Sequence, residues 1–183
     1  EEGISKGMYR FQKSTKKVSK GRKAHLMGSG SIMMQVIEAQ KMLEDLNIST
    51  DIWSVTSYTE LQRDALNAER EAILSTATKA PQSYLEQLLA KEKGVFVSAS
   101  DYVKSWAAGI SKWMPKAYHV LGTDGYGLSE SRADLRNHFE VSGKYIALAA
   151  LQLLRREGVV SLKEVKDFIK AKEIDLVKIY PTF

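Results

Sequence analysis

The sequence predicts an α/β fold with three layers: a mostly parallel sheet, one antiparallel edge strand, and helices on both faces. Three observations predict it. Short apolar runs alternate along the chain with segments of helical period, the order that βα units produce. A hydrophobic content of 44% against 27% charged residues is ordinary for a chain with a packed core. The first strand is set apart from the others by a basic lead-in, which suits an antiparallel edge.

Residues 8–12 alternate weakly and suit a short strand, followed by a basic turn around residues 19–21. Residues 24–27 form a second strand, which Gly28-Ser29-Gly30-Ser31 breaks to open a helix. On that helix Ile32, Val36, Ala39, Leu43 and Leu46 recur at three- and four-residue spacing, marking one buried face. Residues 51–55 are the next strand. Ser57 and Glu60 stand at capping-box spacing, and the helix they open loses definition near residues 76–81.

Residues 84–90 form a short helix with Gly94 as its expected C-cap. Val95, Phe96 and Val97 make a compact buried strand. Residues 101–113 have helical spacing, with Tyr102, Trp106 and Ile110 on one face and Pro115 closing it. Residues 118–121 are the strand before three glycines, Gly122, Gly125 and Gly127, which let the backbone approach another surface. Residues 142–155 are apolar nearly all round, so that helix is expected to be covered on most sides. Gly158 caps it, and Ser161 with Glu164 opens a final amphipathic helix.

With 183 residues the chain suits one domain. Residues 1–24 read as a basic lead-in with a short strand, and residues 25–183 as a single α/β domain. The net charge of +5 is uneven: residues 1–25 hold eight basic and two acidic residues, leaving 19 basic against 20 acidic elsewhere. Lys13, Lys16, Lys17, Lys20, Arg22 and Lys23 therefore read as a solvated loop between strands, not a nucleic-acid surface. The absence of cysteine excludes a disulfide framework and thiolate catalysis. No apolar run is long enough to span a bilayer.

Several motifs carry possible chemistry. Gly28, Ser29, Gly30 and Ser31, between strand and helix, are candidates to hold a phosphate on helix amides. A dinucleotide fingerprint would need a third glycine where Met33 stands, and an acidic residue where Thr56 and Ser57 end the next strand. A tight turn is the plainer reading. Thr123-Asp124-Gly125 lacks the leading glycine and the downstream asparagines of a magnesium-diphosphate anchor, so Asp124 reads as a turn former. His25, His119 and His138 are too scattered for a metal site, and none is assigned. Ser29, His138 and Asp124 could make a triad on paper, but no nucleophile elbow supports it. Arg132 and Arg136 share a helix face; they could grip an anion, or pair with Glu130, Asp134 and Glu140, the preferred reading. Trp53, Trp106 and Trp113 read as core or interface anchors.

Six ordered segments carry a family resemblance: G-x-Y-R-F at residues 7–11, H-L-M-G-S-G-S-I at 25–32, D-I-W-S-V-T-S-Y-T-E-L-x-R-D at 51–64, S-A-S-D-Y-V-K at 98–104, the glycine-loop segment at 122–141, and A-L-A-A-L at 147–151. Over nearly its whole length the chain resembles the C-terminal domain of the homodimeric bacterial pyruvate dehydrogenases, a transketolase-like family. It departs from that pattern at Glu71-Ala72, Ser75-Thr76, Tyr126 and Leu128.

The resemblance implies a cytoplasmic parent enzyme that decarboxylates pyruvate on thiamine diphosphate with magnesium. The acetyl group then passes to a lipoyl arm of the acyltransferase component. It also implies that the cofactor lies between the other two domains, so that this segment binds no cofactor and carries no catalytic residue. The resemblance further implies that this segment, the third domain of the parent, serves dimer assembly. The implied partners are a second copy of the enzyme, its neighbouring domains and the acyltransferase component, with no nucleic acid and no membrane. The alternative is a free-standing phosphate- or nucleotide-binding α/β domain.

Overall fold

A computed structural model describes residues 1–18 and 21–181 of the chain. In order, the elements are α1 (Glu2–Ser5), β1 (Met8–Gln12), β2 (Lys23–Gly28), α2 (Met33–Asp45), β3 (Ser49–Val55), α3 (Tyr58–Leu74), α4 (Tyr84–Leu89), β4 (Val95–Ala99), α5 (Lys104–Ala108), β5 (Tyr118–Leu121), α6 (Arg132–His138), α7 (Gly143–Arg156) and α8 (Leu162–Ala171). Short 3-10 turns at Gly30–Ile32 and Ser111–Trp113 precede α2 and follow α5.

The five strands run in the order β1-β3-β2-β4-β5. Strand β1 lies antiparallel against β3 at one edge, and all other pairings are parallel. This is the mostly parallel sheet with an antiparallel edge that the alternation of elements predicts. The expected turn at Ser19 and Lys20 lies outside the described residues.

Side chains alternate across each strand, so the sheet feeds two cores. Ala24 and Leu26 of β2, Ile52 of β3 and Val95, Val97 and Ala99 of β4 pack with α2, α7 and α8. Met27, Trp53, Val55 and Phe96 pack on the other face with α3, α4 and α5. Helix α7 lies against both α2 and α8. It buries Ile146, Ala147, Ala150, Leu151 and Leu154, while Tyr145, Leu148 and Ala149 stay half-buried. One flank therefore faces outward, where the sequence suggested cover on most sides. Helix α7 ends as expected in a Schellman turn: the Val159 N–H donates to the Leu154 carbonyl at 2.9 Å, with Gly158 at φ 71°.

Three local expectations are corrected. Residues 101–113 are not one helix. The Asp101 carbonyl accepts from the Thr123 hydroxyl at 2.6 Å and the Tyr102 carbonyl accepts from the Thr123 N–H at 2.9 Å. Those carbonyls hold the glycine loop, so helix α5 starts only at Lys104. Gly94 does not cap α4, which stops at Leu89; it opens β4 at φ 108°, where a Cβ would lie 2.2 Å from the Lys23 carbonyl oxygen. Trp53 is buried in the core and Trp106 is 49% exposed, neither of which contradicts the core-or-interface reading of the tryptophans. At Ser57 the side chain accepts from the Glu60 N–H at 3.1 Å, while the Glu60 carboxylate pairs with Arg63 instead of completing the box.

Candidate functional site

Parallel strands bring all their amino ends to one edge of the sheet and all their carboxyl ends to the other. The two edges have different chemistry.

At the amino edge lies a buried polar network. His25 is fully buried and stacks on Phe96 with ring centroids 4.5 Å apart. Its Nδ1 accepts from the Trp53 indole N–H at 3.2 Å, and its Nε2 lies 2.9 Å from the Lys93 carbonyl oxygen. That pair of partners fixes the neutral Nε2–H tautomer. Burial holds its pKa below the ordinary imidazole value, against the upward pull of the Lys93 carbonyl. Asp51, also buried, takes Lys23 Nζ at 2.7 Å and the Ser14 N–H at 2.9 Å. Burial works to raise its pKa, but these donors outweigh it and leave the carboxyl below its ordinary value. Arg10 stacks over Trp53 at 4.5 Å and pairs with Glu92.

His25, Asp51 and Glu92 each bring a possible ligand atom within 4.8 Å of the others. Both imidazole nitrogens are engaged, and Lys23 and Arg10 already neutralise the two carboxylates, so this trio reads as a structural ion-pair network. The lead-in is partly drawn into the same framework. Arg22 donates to the Leu46 carbonyl at 2.9 Å and to Glu164 at 2.8 Å. Lys13, Lys16 and Lys17 stay exposed.

At the carboxyl edge the loops leave open crevices. Strand β2 has β3 on one side and β4 on the other, and the chain reverses direction of winding there, the place where open α/β sheets form crevices. The phosphate-loop candidates meet here. Gly28 is buried under Met33 and Val36, and the Ser29 N–H donates to the Ala99 carbonyl at 3.3 Å. Gly30 has a φ of 56°, and the Ser31 hydroxyl donates to Asp101 at 3.0 Å. The sequence reading missed Asp101; its signal was an acidic residue two positions after β4.

The glycine loop forms the outer wall. A Cβ on Gly122 would sit 2.6 Å from the Tyr102 carbonyl oxygen, so glycine is what permits the close approach. Asp124 Oδ1 accepts the Lys104 N–H at 2.9 Å, and its Oδ2 lies 3.4 Å from Lys104 Nζ. Asp124 thus caps α5 from a distant loop. Between this loop, Ser31, Asp101 and α6 lies a cavity of about 550 Å³. A second, smaller crevice lies beside Ser29, Ser57, Tyr102 and Trp106.

The paper triad is not assembled. Ser29 lines the second crevice, Asp124 lines the first and is spent on Lys104, and the His138 ring packs edge-on against Phe139 at 4.9 Å. Nor do the residues fit a magnesium diphosphate. That ion needs several free oxygen ligands. Asp124 is neutralised by Lys104, and Thr123 spends its hydroxyl on the Asp101 carbonyl.

This geometry defines an open αβα domain with a buried, hydrogen-bonded amino edge, crevices at its carboxyl edge, and no catalytic triad or diphosphate anchor among the described residues. A family profile described as a transketolase-like TK C-terminal domain matches residues 7–142. The chain belongs to that family. It is 43% identical over 183 residues to the pyruvate dehydrogenase E1 component of Pseudomonas aeruginosa, and 41% identical over 183 residues to that of Escherichia coli strain K12. Each match covers 99% of this chain and 20% of the relative, so the chain spans about a fifth of the length of the curated relatives it matches. Among solved structures, transketolase from Leishmania mexicana superposes with a TM-score of 0.55 at 19% identity, over 85% of this chain and 19% of that one. Described residues include no helix long and apolar enough to cross a membrane.

Proposed function

We propose that this chain is the assembly domain of a pyruvate dehydrogenase E1-type enzyme and is not itself catalytic. The carrying observation is the match to E1 components at 41–43% identity across 99% of the chain. In this reading the parent enzyme decarboxylates pyruvate with thiamine diphosphate and magnesium held by its other domains. It then passes the acetyl group to the lipoyl group of an acyltransferase component. The domain contributes buried surface to a homodimer and to its neighbouring domains in the cytoplasm. Exposed Tyr102, Val103, Trp106 and Leu128 at the carboxyl edge support a docking role.

Two measurements test this. The 183-residue chain, given pyruvate, thiamine diphosphate and Mg²⁺, is expected to release no carbon dioxide, whereas the parent enzyme containing it does. Sedimentation of the chain at rising concentration is expected to show self-association. Carbon dioxide release by the chain alone, or a strict monomer at every concentration, overturns the reading.

A further inference from the structure

We propose that the cavity at the carboxyl ends of β2, β4 and β5 binds a small hydroxylated organic phosphate of nucleoside-monophosphate size. This goes beyond the assembly role and does not depend on it. At about 550 Å³ the cavity falls within the size range of small-molecule sites, roughly 300–1,000 Å³. Its floor is apolar: Ile32, Phe139 and Val141 are buried, and Leu135 is half-buried. A ring or sugar face can rest there.

Two cations stand on the rim with no ion pair among the described residues. Arg132 and Arg136 lie one turn apart on α6, where side chains share a face. The carboxylates expected to pair with them are engaged elsewhere. Asp134 accepts from the Ser131 hydroxyl at 2.5 Å, Glu130 accepts the Ser131 N–H at 2.9 Å, and Glu140 faces Lys178 at 3.7 Å. Among the described residues neither arginine makes an ion pair, and Arg136 makes only 3.4 Å contacts to Ser31. Two guanidiniums so placed can fork onto the oxygens of one phosphate.

The remaining charges complete the specification. Asp101 gives Oδ2 to the Ser31 hydroxyl and keeps Oδ1 without a partner among the described residues. A rim acceptor beside two arginines calls for a ligand that carries hydroxyl donors as well as its anion. Asp124 also lines the cavity, but Lys104 neutralises it. Tyr126, 94% exposed on the glycine loop, offers a ring to cover a bound base. Unlike a diphosphate with its metal, a monophosphate needs no carboxylate ligands, so the missing anchor does not stand in its way.

Titration of the ¹⁵N-labelled chain with adenosine 5′-monophosphate, adenosine and inorganic phosphate tests this by amide shifts. The nucleotide is expected to move Ile32, Tyr126, Leu135 and Phe139 saturably, with adenosine and inorganic phosphate each binding at least about tenfold more weakly. Arg132→Gln with Arg136→Gln is expected to weaken the nucleotide by about tenfold or more, and Asp101→Ala to weaken it without changing inorganic phosphate. Arg132 is exposed and holds nothing in the fold, so Arg132→Gln alone serves should the double variant not fold. Absence of saturable shifts at millimolar nucleotide, shifts centred elsewhere, indifference to the arginine substitutions, or inorganic phosphate binding as tightly as the nucleotide each overturns the proposal.

Discussion

Replacing Asp124 by alanine and by asparagine separates a capping role from a metal role at the glycine loop. The alanine variant loses a charge-assisted hydrogen bond from the Lys104 N–H, 2.9 Å long, and an ion pair to Lys104 Nζ at 3.4 Å. A hydrogen bond to a charged group contributes about 1.5–3 kcal/mol. The ion pair is partly exposed, with side chains 25% and 22% accessible, so it adds at most about 1 kcal/mol. The expected loss for Asp124→Ala is therefore about 2–3 kcal/mol. Asparagine keeps an acceptor for the amide and loses the charge, so about 1 kcal/mol is expected. Urea unfolding reads both: with a slope near 2 kcal/mol/M, the alanine variant's midpoint falls by about 1 M. Magnesium with thiamine diphosphate should leave the midpoint of every variant unchanged. Were Asp124 a metal ligand, saturating cofactor would stabilise the native chain by about 2.7 kcal/mol at a hundredfold excess over Kd. The asparagine variant would then lose that gain. That result, or an alanine penalty below about 0.5 kcal/mol, refutes the capping account.

Other expectations follow from the same geometry. Gly94→Ala and Gly158→Ala both force alanine to positive φ, which costs about 1–2 kcal/mol; only at Gly94 does a Cβ strike backbone, at 2.2 Å from the Lys23 carbonyl oxygen. Denaturant midpoints should show Gly94→Ala the costlier by more than about 2 kcal/mol, and equal penalties would contradict the close approach. His25 has a folded pKa below its unfolded value of about 6.5, so the unfolded chain takes up a proton first as pH falls. Its contribution to stability is thus present above that pH and lost below it, and His25→Phe should flatten the stability profile just below pH 6.5. Carboxylate losses come at lower pH, since Asp51 and Glu164 are held below their ordinary values, Glu164 at about 2 by the Ser161 N–H and Arg22. Tyr58 is pushed up to about 12 by burial, against its bond to Ser98. Burial also pushes Tyr118 well up, so ultraviolet titration should show at least two tyrosines resisting ionisation well past pH 10, and Tyr58→Phe should reduce that resistant fraction.

The sheet was legible because its signals are local. Val95, Phe96 and Val97 form a run that reads as a buried strand alone, and the three- and four-residue spacing from Ile32 to Leu46 fixes one face of α2. Ser161 with Glu164 completes its capping box in the structure as the spacing predicts. What failed was decided by partners distant in sequence. Nothing near residue 101 announces that its carbonyl is claimed by Thr123, so spacing alone ran one helix through residues 101–113. Gly94 carries the same glycine signal whether it caps a helix or admits the Lys23 backbone. The arginines on α6 were visible; that Lys178 would draw off Glu140 was not, because that choice depends on where the tail comes to rest.

The two edges of the sheet divide stability from recognition. At the amino edge, charge meets charge inside the fold, and the exposed positions there are lysines such as Lys13, Lys91 and Lys93. At the carboxyl edge the exposed positions are Tyr102, Val103, Trp106, Tyr126 and Leu128, all on the connections that follow β4 and β5. Hydrating those side chains is costly by roughly 25 cal/mol per Å² of apolar surface, so a docking neighbour gains most by covering this edge and least by covering the other. A neighbour seated there would also roof the cavity beneath Arg132 and Arg136, converting an open crevice into a boundary between domains, where small-molecule sites concentrate. Docking and ligand binding then draw on one surface, and the affinity of either should depend on the other by the same factor. A nucleotide titration that changes the self-association constant of the chain is the direct sign of that linkage; association constants that do not move with nucleotide place the two events on separate surfaces.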